Sequence, residues 1–403
     1  MLSARAASAA RNISCHCTPR GRDEKSTPTT EENQSQLADA LADENVEDVT
    51  ELEDVVPYRY SITGYGADYP VDGLVKRLES AGIVIPTFEP EVTVSDASGG
   101  FQRQFVWTKA QCDKFVESLL LGLPVPGIFL VKQPDGRFLV LDGQQRLRAL
   151  QAFYKGILKG KELLLEDVQN KYKGKSYASP DVEDRRHLDD SIIHATVIRQ
   201  DEPSEDQSSI YMIFERLNTG GTLLQPQDIR VALYRGRFVN LLRELNEDPA
   251  WRKLYGRKSS TLKDHGLILQ FLALMYWPAK YVRPMKEFLN RYMASNRDLP
   301  AEQEAAARYL FTRTTHAILQ AIGPRAFRLK SAVNAAAADA VMVGVASRIR
   351  ATGAPPIDEH LRRAYEALLR RAEFLDAVKK STADEENVKR RLTLSISAFA
   401  GAA

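Results

Sequence analysis

The chain has 403 residues and 44% hydrophobic content, enough for an extensive core and for two or three folded units. A net charge of +2 excludes a bulk polycation that would coat nucleic acid without selection. The three cysteines, Cys15, Cys17 and Cys112, exclude a disulfide framework and point to a reducing compartment.

Residues 1–22 are rich in Ala, Ser and Arg and lack acids. That composition fits an organellar transit peptide, an upstream non-native start or a plain disordered tail equally well. Cys15-His16-Cys17 is too tightly spaced for a metal site and has no second pair. Residues 31–54 hold ten acids and no Lys or Arg, which leaves the rest of the chain distinctly basic. Residues 1–56 are therefore expected to be a disordered acidic tail. Such a tail could compete with nucleic acid for a basic domain, but a solvated tail is the simpler reading.

Folded structure is expected from residues 58–62. A helix follows at 71–80 with Leu74, Val75 and Leu78 on one face. The block Phe101-Gln102-Arg103-Gln104-Phe105-Val106-Trp107 leads into a helix that Thr108 and Gln111 begin as a capping box. Phe115, Leu119 and Leu120 supply its buried side, and Gly122 stands where it should stop. Arg103 reads equally as a phosphate or DNA contact and as a stem packed on Phe101 and Trp107. Pro124-Val125-Pro126 is a stiff connector. Residues 128–132 and 138–141 read as two strands of a hairpin turned by Pro134-Asp135-Gly136.

The second strand runs into Asp142-Gly143-Gln144-Gln145-Arg146, then into a helix with Leu147, Leu150 and Phe153 or Tyr154 at helical spacing. Backbone N–H groups and the helix dipole at such a start favour anions. Arg146 adds a planar fork suited to phosphate, and Asp142 could hold a divalent metal or orient water. The two readings are a phosphate or nucleotide site and an Asp-terminated strand–helix turn. These residues alone favour the turn.

Residues 155–190 interleave Lys with Tyr, a pattern of either a nucleic-acid-facing surface or, more commonly, a solvated insertion. A strand is expected at 192–199. Ser204 and Gln207 read as a second capping box, for a helix carrying Ile210, Ile213, Phe214 and Leu217. Asn218-Thr219-Gly220-Gly221 permits close backbone approach to a ligand but is also an ordinary helix–helix loop. A helix from Pro226 to Gly236 follows, and residues 240–403 are expected to be almost wholly helical, at 262–277, 284–293, 304–322, 331–349 and 359–380. The pairs Arg362-Arg363, Arg370-Arg371 and Lys379-Lys380 read as a basic DNA face or, by default, as solvated helix surface. The longest apolar runs, 267–277 and 333–346, are too short or too interrupted to cross a bilayer, so no membrane partner and a cytoplasmic location are expected.

Four blocks occur together in order: 101–107, Leu119-Leu-Leu-Gly-Leu-Pro-Val-Pro126, Leu141-Asp-Gly-Gln-Gln-Arg146 and Ile213-Phe-Glu-Arg-Leu-Asn-Thr-Gly-Gly221. In this order they resemble the N-terminal domain of GmrSD-type, type IV restriction endonucleases, of the ParB/sulfiredoxin-like superfamily. The resemblance is strong over residues 60–237 and looser at Leu262-Lys263-Asp264 and at 284–293. It implies an α/β fold with a small mixed sheet and helices over 57–237, followed by an all-α domain over 238–403. It also implies nucleotide binding, Mg-dependent nucleoside triphosphate hydrolysis and a role in restriction or phage defence. Carried over residue by residue, the catalytic candidates are Asp142, Gln144, Gln145 and Arg146. Arg103, Gly143, Arg146 and Asn218 are the nucleotide-binding candidates, and Asp142 is the Mg ligand.

This chain departs from the family at Gly266 and Gln270, where many relatives carry an acid and an arginine. It also lacks a C-terminal His-Asn-His nuclease pattern, having only His265, His316 and His360 scattered through that half. The partners implied are a nucleoside triphosphate, DNA and a separately encoded nuclease. The alternative is a non-catalytic DNA-binding or protein-interaction module. A DNA nickase ranks last.

Overall fold

The computed structural model describes residues 46–47, 61–86, 107–133, 135–202, 208–217, 226–259 and 261–401. In chain order the first part holds β1 (Val46–Glu47), β2 (Ser61–Pro70), α1 (Val71–Glu79), β3 (Ile83–Val84), α2 (Lys109–Leu120), β4 (Ile128–Lys132), β5 (Phe138–Asp142) and α3 (Gln144–Lys155). A small β6–β7 hairpin (Ile157–Leu158 and Lys161–Glu162), α4 (Val182–Asp190), β8 (Ile192–Glu202), α5 (Ser208–Leu217) and α6 (Pro226–Leu233) complete it. The rest is helical, as expected: α7 (Arg237–Asn246), α8 (Pro249–Tyr255), α9 (Lys263–Tyr276), α10 (Met285–Ser295), α11 (Ala301–Ala321), a short β9 (Val333–Asn334), α12 (Ala335–Thr352), α13 (Asp358–Leu369), α14 (Ala372–Lys379) and α15 (Glu385–Ala400).

Five strands form one mixed sheet in the order β2-β8-β4-β5-β3. β4 and β5 make the expected antiparallel hairpin, with β4 parallel to β8 and β5 parallel to β3. Alternation along the two central strands divides the apolar side chains between two cores. Ile128, Leu130 and Val140 pack with Val71, Leu74, Val116, Leu147, Leu150 and Phe153 on α1, α2 and α3. Val131, Leu139 and Leu141 belong instead to the core that continues through Phe214 and Ile229 into the helical half. The continuous apolar run at 138–141 thus reflects a strand covered on both faces. At about 1.5–3 kcal/mol per fully buried large side chain, these two layers fix the register of β5 and so the position of Asp142 at its end.

The Thr108 capping box forms as read. The Gln111 N–H donates to Thr108 Oγ1 at 3.3 Å, and the Thr108 N–H to Gln111 Oε1 at 2.8 Å. The second box, Ser204 to Gln207, lies outside the described residues. Within the segment read as a disordered tail, Val46–Glu47 pairs in parallel with Val333–Asn334. Helix α6 stops at Leu233 rather than at Gly236, which caps the start of α7 instead. A Cβ on Gly236 would lie 2.4 Å from the Arg297 carbonyl oxygen, so no side chain fits there.

Two polar hubs organise the helical half. Asp264, fully buried at the start of α9, accepts from Asn246 Nδ2 and Arg252 Nη1, both at 2.9 Å. The Trp251 indole N–H holds Asn246 in place at 2.9 Å. Next to it, burial holds the His265 imidazole down to about 4, against a pull upward from Asp264. The unfolded chain therefore binds a proton more readily than the fold does. Stability is expected to fall as pH drops from about 6.5 towards about 4, by roughly 3 kcal/mol from this group. His265→Gln should remove that part of the acid sensitivity, read as the difference between the two proteins' denaturation midpoints at pH 7 and pH 4.5.

In the second hub Arg391 of α15 grips Asp339 of α12 with Nε to Oδ1 at 2.9 Å and Nη2 to Oδ2 at 2.7 Å. Gln270 Nε2 adds a bond to Asp339 Oδ2 at 2.6 Å. Gln270 of α9 thus shares the Asp339 carboxylate with the guanidinium of the last helix. Among the described residues no helix is long and apolar enough to cross a membrane.

Candidate functional site

The β5–α3 junction is built around a backbone conformation. Gly143 has φ +91°, and a Cβ there would sit 2.4 Å from Ile128 Cγ2 at the start of β4. Only glycine lets the chain turn from strand into helix against that side chain. Gly143 is also the helix N-cap, so no side chain caps α3. Asp142, the obvious acceptor, points elsewhere, and the dipole and first-turn N–H groups of α3 are not quenched by a cap.

Asp142 pairs with Arg146 one helical turn on, Oδ2 to Nη2, at 2.6 Å. The carboxylate is 39% exposed and the guanidinium 13%. Arg146 Nη1 donates to the carbonyl of Pro126 at 2.7 Å and also to that of Gly127. Arg146 thus ties the junction to the 124–127 connector. Gln145 Oε1 accepts from the Trp107 N–H at 3.4 Å, a weak bond. Gln144 is half-buried, and its side chain makes no hydrogen bond among the described residues.

Three of the four sequence blocks therefore meet here: the end of 101–107 through Trp107, the Pro-Val-Pro connector through its carbonyls, and the Asp142-to-Arg146 turn. Arg103 and Asn218 lie outside the described residues, so their relation to the turn is not described. From the fourth block, Ile213 and Leu217 on α5 pack against the core on the Leu139–Leu141 face. Sequence reasoning missed the two carbonyls of Pro126 and Gly127. Their signal was a proline connector placed directly before a strand, which fixes where carbonyls point. Among the described residues no three His, Cys, Asp or Glu side chains cluster as a metal cage. A single carboxylate still suits Mg²⁺, which usually takes one or two protein carboxylates and fills its octahedron with water and substrate phosphate.

The Lys/Tyr stretch serves packing. Tyr154 and Tyr177 stack at 4.0 Å and both donate to Asp189, Tyr154 at 2.5 Å, while Tyr172 is buried. Two of its lysines meet acids, Lys171 on Asp184 at 2.7 Å and Lys175 near Asp181 at 3.8 Å. Several basic residues of α13 and α14 are likewise matched by acids one turn away: Arg363 with Glu359, Arg370 with Glu366, and Lys380 with Asp376.

Residues 92–235 match the family model described as the GmrSD restriction endonuclease, N-terminal domain. No curated protein matches the chain. The matched span contains all four sequence blocks, the β4–β5 hairpin and the Asp142-to-Arg146 turn. Over residues 92–235 the chain is therefore similar to the N-terminal domain of the GmrSD restriction endonuclease.

Proposed function

We propose that the Asp142-to-Arg146 junction binds a nucleoside triphosphate together with Mg²⁺ and hydrolyses it, within a restriction or phage-defence system that engages DNA and a separately encoded nuclease. One observation carries this reading. An acid and a guanidinium neutralise each other at 2.6 Å beside a helix start that no side chain caps. A metal-bound polyphosphate brings both opposite charges at once. Asp142 would hold the Mg²⁺, and the Nη2 of Arg146, released from Asp142, would take a phosphate oxygen. Bound Mg²⁺ supplies charge neutralisation at the phosphates.

The rest falls to the chain's own groups. The α3 N-terminus adds a partial positive charge along the phosphate tail. Gln144, whose amide is unengaged among the described residues, can orient the attacking water, while Gln145 holds Trp107 against the turn. Arg103 and Asn218 are proposed as further phosphate contacts. This is catalysis by placement and electrostatics, without a covalent intermediate.

The test is phosphate release from the four common ribonucleoside triphosphates with Mg²⁺, for the wild type, Asp142→Ala and Arg146→Ala. Loss of about 100-fold or more in either variant is expected. Wild-type release no faster than that of the variants, with no nucleotide bound, would overturn the proposal.

A further inference from the structure

Arg230 on α6 is 4% exposed, and the hydrolytic site makes no use of it. Its Nε donates to Asn290 Oδ1 at 2.8 Å, its Nη2 to the Lys286 carbonyl at 3.2 Å and its Nη1 to Gln227 Oε1 at a marginal 3.4 Å. The guanidinium also lies 5.5 Å from the centre of the Tyr211 ring. Every one of these acceptors is neutral, and among the described residues Arg230 forms no ion pair. The other deeply buried arginine behaves differently: Arg391, at 1% exposure, is held by both oxygens of Asp339. The fold therefore neutralises one buried guanidinium and leaves the second without a counter-charge, an arrangement that is costly unless an anion completes it.

A second observation points the same way. Gln227 is 3% exposed, and its Nε2 is buried with no hydrogen-bond partner among the described residues. A buried amide donor without an acceptor calls for an explanation, and here it sits on the same helix turn as a guanidinium with donors to spare. Lys286 connects the pair to the surface. Its carbonyl accepts from Arg230, and its ammonium, about one-third exposed, pairs with Glu215 at 3.1 Å. The ammonium at the rim already has the Glu215 carboxylate, whereas the guanidinium fork and the buried amide N–H have no acceptor with several oxygens among the described residues.

We propose that Arg230, Gln227 and Lys286 form a second oxyanion site, for a phosphate group, using none of the residues of the Asp142 junction. The same chemistry would take inorganic phosphate or the phosphate tail of a nucleotide. Asn290→Asp provides the discriminating variant. It is isosteric and sets a carboxylate where the amide oxygen now meets Arg230 Nε, so the fold would supply its own anion.

Calorimetric titration with inorganic phosphate should show binding by the wild type and by Asp142→Asn. Asn290→Asp and Arg230→Met should bind at least about tenfold more weakly. Should Arg230→Met fail to fold, Asn290→Asp still decides the matter, because its melting temperature is expected at or above that of the wild type. Adding a non-hydrolysable nucleoside triphosphate to phosphate-loaded Asp142→Asn separates the sources. Displacement assigns the site to a nucleotide tail, and unchanged phosphate binding assigns it to free phosphate. Equal phosphate binding by Asn290→Asp and wild type, or none by the wild type up to about 10 mM, would overturn the proposal.

Discussion

Gly143→Ala is expected to destabilise the protein by roughly 2–5 kcal/mol. Holding an alanine at φ +91° costs about 1–2 kcal/mol. Its methyl would also arrive 2.4 Å from Ile128 Cγ2, and overpacking of that kind costs a further 1–3 kcal/mol. The clash cannot be relieved cheaply, because Ile128 is 1% exposed and opens β4, a central strand. Against a typical total of 5–15 kcal/mol this is a large fraction, visible as a lower urea midpoint at unchanged slope. In an Ile128→Ala background, whose own cavity cost is measured separately, Gly143→Ala should cost less by the part due to the clash and keep the part due to the backbone. An equal cost of Gly143→Ala in both backgrounds would place the whole effect in the dihedral.

Arg391→Met should have the other large effect, about 3–5 kcal/mol, because it leaves Asp339 charged and buried. Among the described residues only Gln270 would still donate to that carboxylate. The loss should be much smaller when Asp339→Leu is added, since replacing both members of a buried pair removes the orphaned charge. The measurement is a double-mutant cycle on denaturation midpoints. The site also explains why α12 and α15 approach closely. A Cβ on Gly344 would lie 2.6 Å from Phe399 Cδ2, so glycine on one helix makes room for an aromatic ring on the other.

Much of the N-terminal architecture was legible because local rules and tertiary packing agree there. The Thr108–Gln111 box, the β4–β5 hairpin and the strand–turn–helix at Asp142 each carry a mechanism within a few residues. The helix α4 was not legible: Leu188 is its one buried residue among Val182–Asp190, and Val182 is exposed, so it shows no apolar stripe. The helix α15 escaped for a related reason. Its inward face includes Arg391 and Ser395 beside Val388, Leu392 and Phe399, and a search for hydrophobic periodicity discounts the polar members.

The expected helix at 359–380 divides into α13 and α14, with Arg370 and Arg371 between them. The Lys/Tyr interleaving misled differently. Composition cannot reveal that the tyrosine hydroxyls converge on Asp189. At the candidate site the sequence marked Asp142 and Arg146. It could not show that Arg146 spends Nη1 on the Pro126 and Gly127 carbonyls, because that contact depends on how the connector enters β4.

The central claim is that the Asp142–Arg146 pair opens to accept a metal-bound polyphosphate. The most direct measurement is the affinity of the wild type and Asp142→Asn for a non-hydrolysable nucleoside triphosphate, with and without Mg²⁺. The account predicts that Mg²⁺ tightens binding to the wild type by at least about tenfold and leaves Asp142→Asn unchanged. Equal sensitivity of the two proteins to Mg²⁺, or no nucleotide binding by the wild type in either condition, would contradict it.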